Sequence, residues 1–267
     1  MGLSGIAAAL LDTSRAEAAP AALGSSGKSV ADFGVMPDIP ADQSPAMQKA
    51  IDELTAAGQP VVVPAGRYRA GRLRLPSKAV LLGVPGLTVL NASQGVPVFE
   101  SLDAQDISLR GLAFAGMGLF ARNCTNLTVS DCQILSSAAH GFVCSGTGLF
   151  IAANRAAACA GSAIWVEGDG MVTNNMIAGQ GQFGLRLGTD ARLGTLTVMN
   201  NRIEGTAVGI GVSNSDKGYA FIAMNMITGA KDGGIRALNG EKLTGNDLTR
   251  GGSEAFRNLA IAANVSI

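Results

Sequence analysis

The sequence predicts a single right-handed parallel β-helix, an all-β solenoid with one coil per roughly 21 to 26 residues, closed at its N-terminal end by a short amphipathic helix. Three observations predict it. Asparagines recur at a near-constant spacing, a column of apolar residues drifts in phase with them, and the composition is rich in small residues. Gly is 36 of 267 residues and aromatics are only 4%, which suits many short strands and turns better than a helical bundle.

The asparagine series is Asn154, Asn175, Asn201, Asn225, Asn246 and Asn264, four of them beside Ile or Leu as NNMI, NNRI, NMI and NDL. Cys132 of DCQI falls on the same column. The apolar series is Phe142, Ile164, Leu185, Ile210, Ile235 and Phe256, each preceded by Gly or Ala. Each coil's short strands point alternate side chains inward and cannot bury them alone. Stacking at about 4.8 Å per coil pairs the backbone with the coils above and below. Stacked Asn at a bend can bond along such a ladder and tolerate a left-handed backbone, so the column reads as structural.

The helical element is expected at about 44–57. Ser44 is the expected cap, Pro45 suits the first turn, Met47, Ala50, Ile51 and Leu54 form one apolar face, and Gly58 stops it. VVVPAG at 61–66, RLRL at 72–75, AVLLG at 79–83 and LTVL at 87–90 then read as the first coils. Residues 28–267 are expected to form the β-helix. Residues 1–27, with the apolar run Gly5 to Leu11 and small residues around Ala18 and Ala19, read as the remains of an export signal or an Ala-rich leader. The run is far shorter than the roughly 20 residues of a membrane span.

Twenty basic residues balance twenty acidic ones, so no global field argues for nucleic acid or an anionic membrane surface. Cys124, Cys132, Cys144 and Cys159 contain no C-x-x-C pair, which argues against zinc and for buried free thiols.

The run from Ala46 to Leu90, with AMQKAIDEL, VVVPAGRY, LRLPS and LLGVPGLTVL, resembles the N-terminal cap and first coils of the pectin-lyase-like β-helix superfamily, and the Asn-x-Ile repeats resemble its generic repeat. The signal-like start also resembles twin-arginine-exported bacterial β-helix proteins, although the twin arginine itself is missing. The resemblance covers 42–267. It implies an exported protein, periplasmic or extracellular, with a substrate groove on one parallel sheet.

If the apolar series points in, the residues after it point out: Val143, Trp165, Arg186, Gly211, Arg236 and Arg257. The residues before it, Gly141, Ala163, Gly184, Gly209 and Gly234, are expected to form a smooth strip beside them. An indole can stack on a sugar face and a guanidinium offers a fork for a carboxylate, so this column suits an acidic polysaccharide. An ordinary solvated strand is the alternative.

Asp169, Asp190 and Asp216 each follow the inward residue of their coil by five or six positions and are expected to stack about 5 Å apart, near the spacing of glycosidase carboxylate pairs. Such a row can equally hold Ca²⁺, or serve only as turn residues. His140, the single histidine, is a candidate acid or base, and Glu167 lies two residues after Trp165. His140-Gly141 faintly resembles the Gly-His-Gly of polygalacturonases, without its first Gly or a pair of consecutive catalytic Asp. Phosphate-loop, zincin, serine-hydrolase and dinucleotide motifs are missing, so no cofactor is implied.

Two functions fit. One is an enzyme that cleaves or epimerises an acidic polysaccharide, with Arg186 and Arg236 binding carboxylates, Trp165, Glu167, Asp169 and Arg257 contacting substrate, and Asp190, Asp216 or His140 as acid or base. The other is a non-catalytic carbohydrate-binding or surface-structural protein. LAIAANVSI at 259–267 reads as a further coil without a polar cap, which predicts a longer parent protein or end-to-end self-association.

Overall fold

Alternation along the strands sets the architecture: in Gln105–Arg110, Ile107 and Leu109 are buried between exposed or half-exposed neighbours. The computed structural model describes residues 28–93, 95–179, 181–213, 218–250 and 259–267, and it is a parallel β-solenoid. The expected leader at 1–27, Phe256, Asp216 and Arg257 lie outside the described residues.

Each coil presents three faces. One carries Phe142–Ser145, the start of Ser162–Thr173, Phe183–Leu187, Val208–Ser213 and Gly233–Asn239 in parallel register. Around a corner the second face carries the ends of the longest strands with Gly194–Met199, Gly218–Ala223 and Leu259–Ala262. The third face is a separate parallel sheet from Gly66–Arg69 to Val265–Ser266, of nine strands among the described residues. The last nine residues do form a further coil, hydrogen-bonded onto the one before it.

The expected inward column is present: Phe142, Ile164, Leu185, Ile210 and Ile235 are register partners and all buried. At its N-terminal end Phe99, Phe114 and Phe142 pack edge to face at 5.9 and 5.8 Å. The four thiols are free and buried in the same core, and burial pushes Cys132 up to about 12 and Cys159 to about 11, so these two are inert.

The asparagine ladder is continuous from Asn154 through Asn175, Asn201 and Asn225 to Asn264. In Asn154, Asn175, Asn201 and Asn225, Nδ2 donates to the Oδ1 of the next asparagine at 2.9–3.0 Å and to a carbonyl of the preceding coil. Each Oδ1 from Asn154 to Asn264 also accepts the backbone N–H of the column residue before it, beginning with Cys132. Two details differ from expectation. The left-handed residue is the one before the column, at Ala153, Asn174, Asn200, Met224 and Ala263 with φ of 52–56°, so the column asparagines are free to bond axially. Asn246 is not a rung. Asn225 bonds directly to Asn264, because an antiparallel hairpin and a short 3₁₀ turn, Leu248–Arg250, are inserted between those coils and leave Asn246 exposed.

A second column stands at the corner between the first two faces. A Cβ on Gly146 would lie 1.8 Å from the Cys124 carbonyl oxygen, one on Gly168 1.9 Å from that of Gly146, and one on Gly194 2.0 Å from that of Gly168. Only glycine permits coils to approach so closely there, and Gly146 and Gly168 also hold positive φ.

The N-terminal helix spans Ser44–Ala56 and buries Met47, Ala50, Ile51 and Leu54 against the first coil. Ser44 is its first residue rather than its cap; the cap position is Gln43, which makes no side-chain capping bond, while the Ser44 hydroxyl accepts from the Gly71 N–H. Gln48 pins helix to coil, donating to the Arg74 carbonyl and accepting from the Arg74 N–H. Among the described residues no helix is long and apolar enough to cross a membrane.

Asn175→Ala, which takes the acceptor from the buried Asn154 N–H and from one amide N–H of Asn154 and the donor from the Ile151 carbonyl, is expected to destabilise by at least about 2 kcal/mol, whereas exposed Asn246→Ala stays within about 0.5 kcal/mol. Urea unfolding of both variants checks this, and equal effects would contradict the ladder.

Candidate functional site

The outer column of the first face runs Glu100, Phe120, Val143, Trp165, Arg186, Gly211 and Arg236 as successive register partners. Trp165 and Arg186 are therefore stacked neighbours, one coil apart. The Arg186 guanidinium carbon lies 4.1 Å from the centre of the indole and 5.9 Å from that of the Phe183 ring. Trp165 Nε1 donates to the Gly188 carbonyl at 3.2 Å, which fixes the indole in turn. One consequence corrects the expected sugar stacking: a face of the indole already carries Arg186.

Arg186, expected to point outward from the sheet, is only 4% exposed. What covers it is the hairpin formed by Gly233–Asn239 and Lys242–Thr244, whose two-residue turn is Gly240 and Glu241. Both Glu241 carboxylate oxygens approach Arg186 Nη1, at 2.8 and 2.9 Å. Nη2 reaches the Gly240 carbonyl only at 3.4 Å, and Nε is buried without a partner. A small apolar cluster of Phe183, Val208 and Leu238, with Leu243 against it, seats the hairpin outside the main core. Sequence reasoning missed Glu241 and Phe183. The signal was Gly240-Glu241, a Gly-X pair of the kind that makes a two-residue hairpin turn with glycine first.

His140 completes the cluster. Its ring centre is 5.2 Å from that of Trp165 in an edge arrangement, and its Nδ1 accepts the Ser162 N–H at 2.9 Å. The neutral ring therefore carries its proton on Nε2 and presents a donor, not a base, at that nitrogen. Gly161 makes room for it, since a Cβ there would lie 2.7 Å from Nδ1. Burial and the nearby Arg186 charge hold the imidazole below its ordinary value of 6.5, opposed by Glu241.

Glu167 lies on the same side of the strand as Trp165, half-buried, with its Oε1 accepting from the Thr189 hydroxyl at 3.2 Å. Arg236 does not join the site. Its Nη1 donates to the Asp232 carbonyl and its Nη2 to the Gly245 carbonyl at 2.9 Å, so it braces the hairpin insertion. Of the expected row of acids, Asp216 lies outside the described residues, and Asp169 and Asp190 hold different partners. Asp169 pairs with Arg192 at 2.8 Å and accepts the Thr195 N–H, whereas Asp190 sits in the excursion between Leu187 and Gly194 and accepts the Gly240 N–H at 2.6 Å. The strip Gly141, Ala163, Gly184, Gly209 and Gly234 is buried rather than a smooth surface. A Cβ on Gly184 would strike Ile203 at 2.4 Å, and one on Gly209 would strike Ile227 at 2.5 Å. Among the described residues no three His, Cys, Asp or Glu side chains converge in a way that could hold a metal ion.

Comparison with known proteins points the same way. Residues 28–249 match the family described as rhamnogalacturonase A/epimerase, pectate lyase-like. A mannuronan C5-epimerase, AlgE3 of Azotobacter vinelandii, is 33% identical over 101 residues, 38% of this chain and 5% of that protein. This chain thus spans a small part of that relative's length. Among solved structures, the A-module of mannuronan C-5 epimerase AlgE6 from A. vinelandii aligns over 90% of this chain and 99% of its own, with TM-score 0.53 and 18% identity. An exopolygalacturonase from Thermotoga maritima covers 80% and 76%, with TM-score 0.54 and 14% identity. The tailspike of E. coli bacteriophage HK620, solved with a pentasaccharide, covers 90% and 50%, with TM-score 0.66 and 12% identity. At these identities the structures establish the fold.

The single histidine makes the site's electrostatics measurable. Its NMR titration is expected to show a midpoint below 6.5, moving up in Arg186→Met, which removes the repelling charge, and further down in Glu241→Gln. A midpoint unmoved by either variant would contradict the cluster.

Proposed function

Because this chain belongs to the pectate lyase-like rhamnogalacturonase A/epimerase family, we propose that it binds an acidic polysaccharide along the outer face that carries Trp165 and Arg186. The carrying observation is the guanidinium held 4.1 Å over the indole and shielded from water. A planar cation whose orientation is already fixed pays little further entropy to receive a carboxylate, and its fork matches the carboxylate's two oxygens. Stacked coils repeat at about 4.8 Å, close to the length of a sugar residue, so an extended polymer can lie along the axis. Val143 and Phe120, half-buried one and two coils before Trp165, would give it apolar contact, and exposed Arg122, 5.6 Å from the Phe120 ring centre, a second cation. A polymer of this kind does not cross membranes, which favours an exported protein.

A second reading is turnover of that polymer. Both epimerisation and β-elimination begin with loss of the proton beside the carboxylate. Arg186 would neutralise the carboxylate and stabilise the charge that develops on it. Half-buried Glu167 supports this reading as the group that accepts the proton, since His140 presents a donor at Nε2. Return of a proton to the opposite face would complete epimerisation, and departure of the glycosidic oxygen would complete elimination.

The single tryptophan supplies the assay. Titration with polygalacturonate or polymannuronate is expected to change Trp165 fluorescence, and Arg186→Lys is expected to weaken uronate binding about tenfold with the fold intact by circular dichroism. Neutral dextran is expected to bind neither protein. Glu167→Gln separates the readings: under turnover it abolishes unsaturated or epimerised product, followed by NMR, while binding persists. Failure of every uronate polymer to bind would sink the proposal.

A further inference from the structure

We infer that Glu241 is an internal occupant of the Arg186 carboxylate site, and that a uronate carboxylate displaces it when the polysaccharide binds. The inference rests on the polysaccharide reading above and adds a gate to it. The two partners are unequal. The Arg186 side chain is 5% exposed and built into the sheet between Trp165 and Phe183, while the Glu241 side chain is 66% exposed at the tip of a two-residue turn. Withdrawing Glu241 costs its contact with Arg186 and returns its carboxylate to water. Withdrawing Arg186 would dismantle the face.

The contact is also poorly matched. Both Glu241 oxygens crowd onto Nη1, Nη2 has only a 3.4 Å contact with the Gly240 carbonyl, and Nε has no partner although it is buried. A guanidinium binds a carboxylate best through two parallel N–H bonds, one to each oxygen. A ligand carboxylate that engages two different nitrogens would therefore make better use of the same cation than Glu241 does. The turn is held near its place by the Asp190 carboxylate on the Gly240 N–H, which keeps the gate close when the site is empty. Asp190, expected from sequence to be an acid or base, is thus a positioning residue for the turn.

Specificity follows from the exchange. A neutral sugar offers nothing to replace the lost ion pair, so the gate yields only to an anion of carboxylate geometry.

Isothermal titration of wild type, Glu241→Gln and, as a control on the same turn, Lys242→Ala tests this, with polygalacturonate and polymannuronate oligomers and with dextran. Glu241→Gln is expected to bind the uronate oligomers about tenfold more tightly, with dextran unchanged and Lys242→Ala like wild type. Uronate affinity unchanged or weakened in Glu241→Gln, while wild type binds, would overturn the gate and leave the polysaccharide reading standing. Binding of uronates by neither protein would overturn both. Because Glu241 is exposed, a fold change is not expected, and thermal melts of the variants verify it. Should Glu241→Gln melt early, Asp190→Asn, which weakens the hold on the Gly240 N–H and leaves Arg186 in place, decides the same question: tighter uronate binding with dextran unchanged supports the gate, and uronate binding unchanged or weakened beside a wild type that binds overturns it.

Discussion

Everything on the surface of this solenoid depends on axial register, and axial register depends on the buried asparagine column. Backbone pairing alone permits neighbouring strands to slip, and a slip of one residue turns every outward side chain inward. The column removes that freedom. An amide displaced along its coil would lose its donor, its acceptor and the carbonyl it caps at once, in a core that offers no water in exchange. Trp165 and Arg186 lie 21 residues apart in sequence and meet only because this lock holds the two coils in step.

The outer face shows how little chemistry such a frame must add to become selective. A flat cation on a flat ring, an imidazole against the ring's edge and a carboxylate delivered from a neighbouring turn come from four separate coils. None is unusual alone. Their convergence in a partly dehydrated place strengthens each electrostatic contact, and the depressed proton affinity of His140 is a direct sign of it.

Much of this was legible in the sequence because repetition encodes it. The inward column from Phe142 to Ile235 and the pairing of Trp165 with Arg186 follow from counting alone. What counting cannot reveal is an interruption. Asn246 keeps the spacing and the flanking leucine of a rung, yet it belongs to an inserted hairpin, and the true next rung is Asn264. The same insertion supplies Glu241 and covers Arg186, so the exposure of that side chain could not be read from alternation. The glycines preceding the inward residues misled for a related reason: a missing side chain was read as a smooth surface, whereas it marks close packing against Ile203 and Ile227. Likewise Asp169 and Asp190 fall at matching offsets, but the longer excursion after Leu187 carries Asp190 away to the hairpin.

The glycine corner carries a consequence for how this molecule can vary. Where main chain rests directly on main chain, no pocket exists to absorb even a methyl group, so a substitution at Gly168 would pry apart the layers on either side of it. Gly168 follows Glu167 and lies three residues beyond Trp165 on one continuous strand, so that wedge would tilt the indole and the carboxylate together. The seam thus acts as a hinge pin that must stay bare: diversity can accumulate in the loops, while the line of glycines keeps the recognition surface in true.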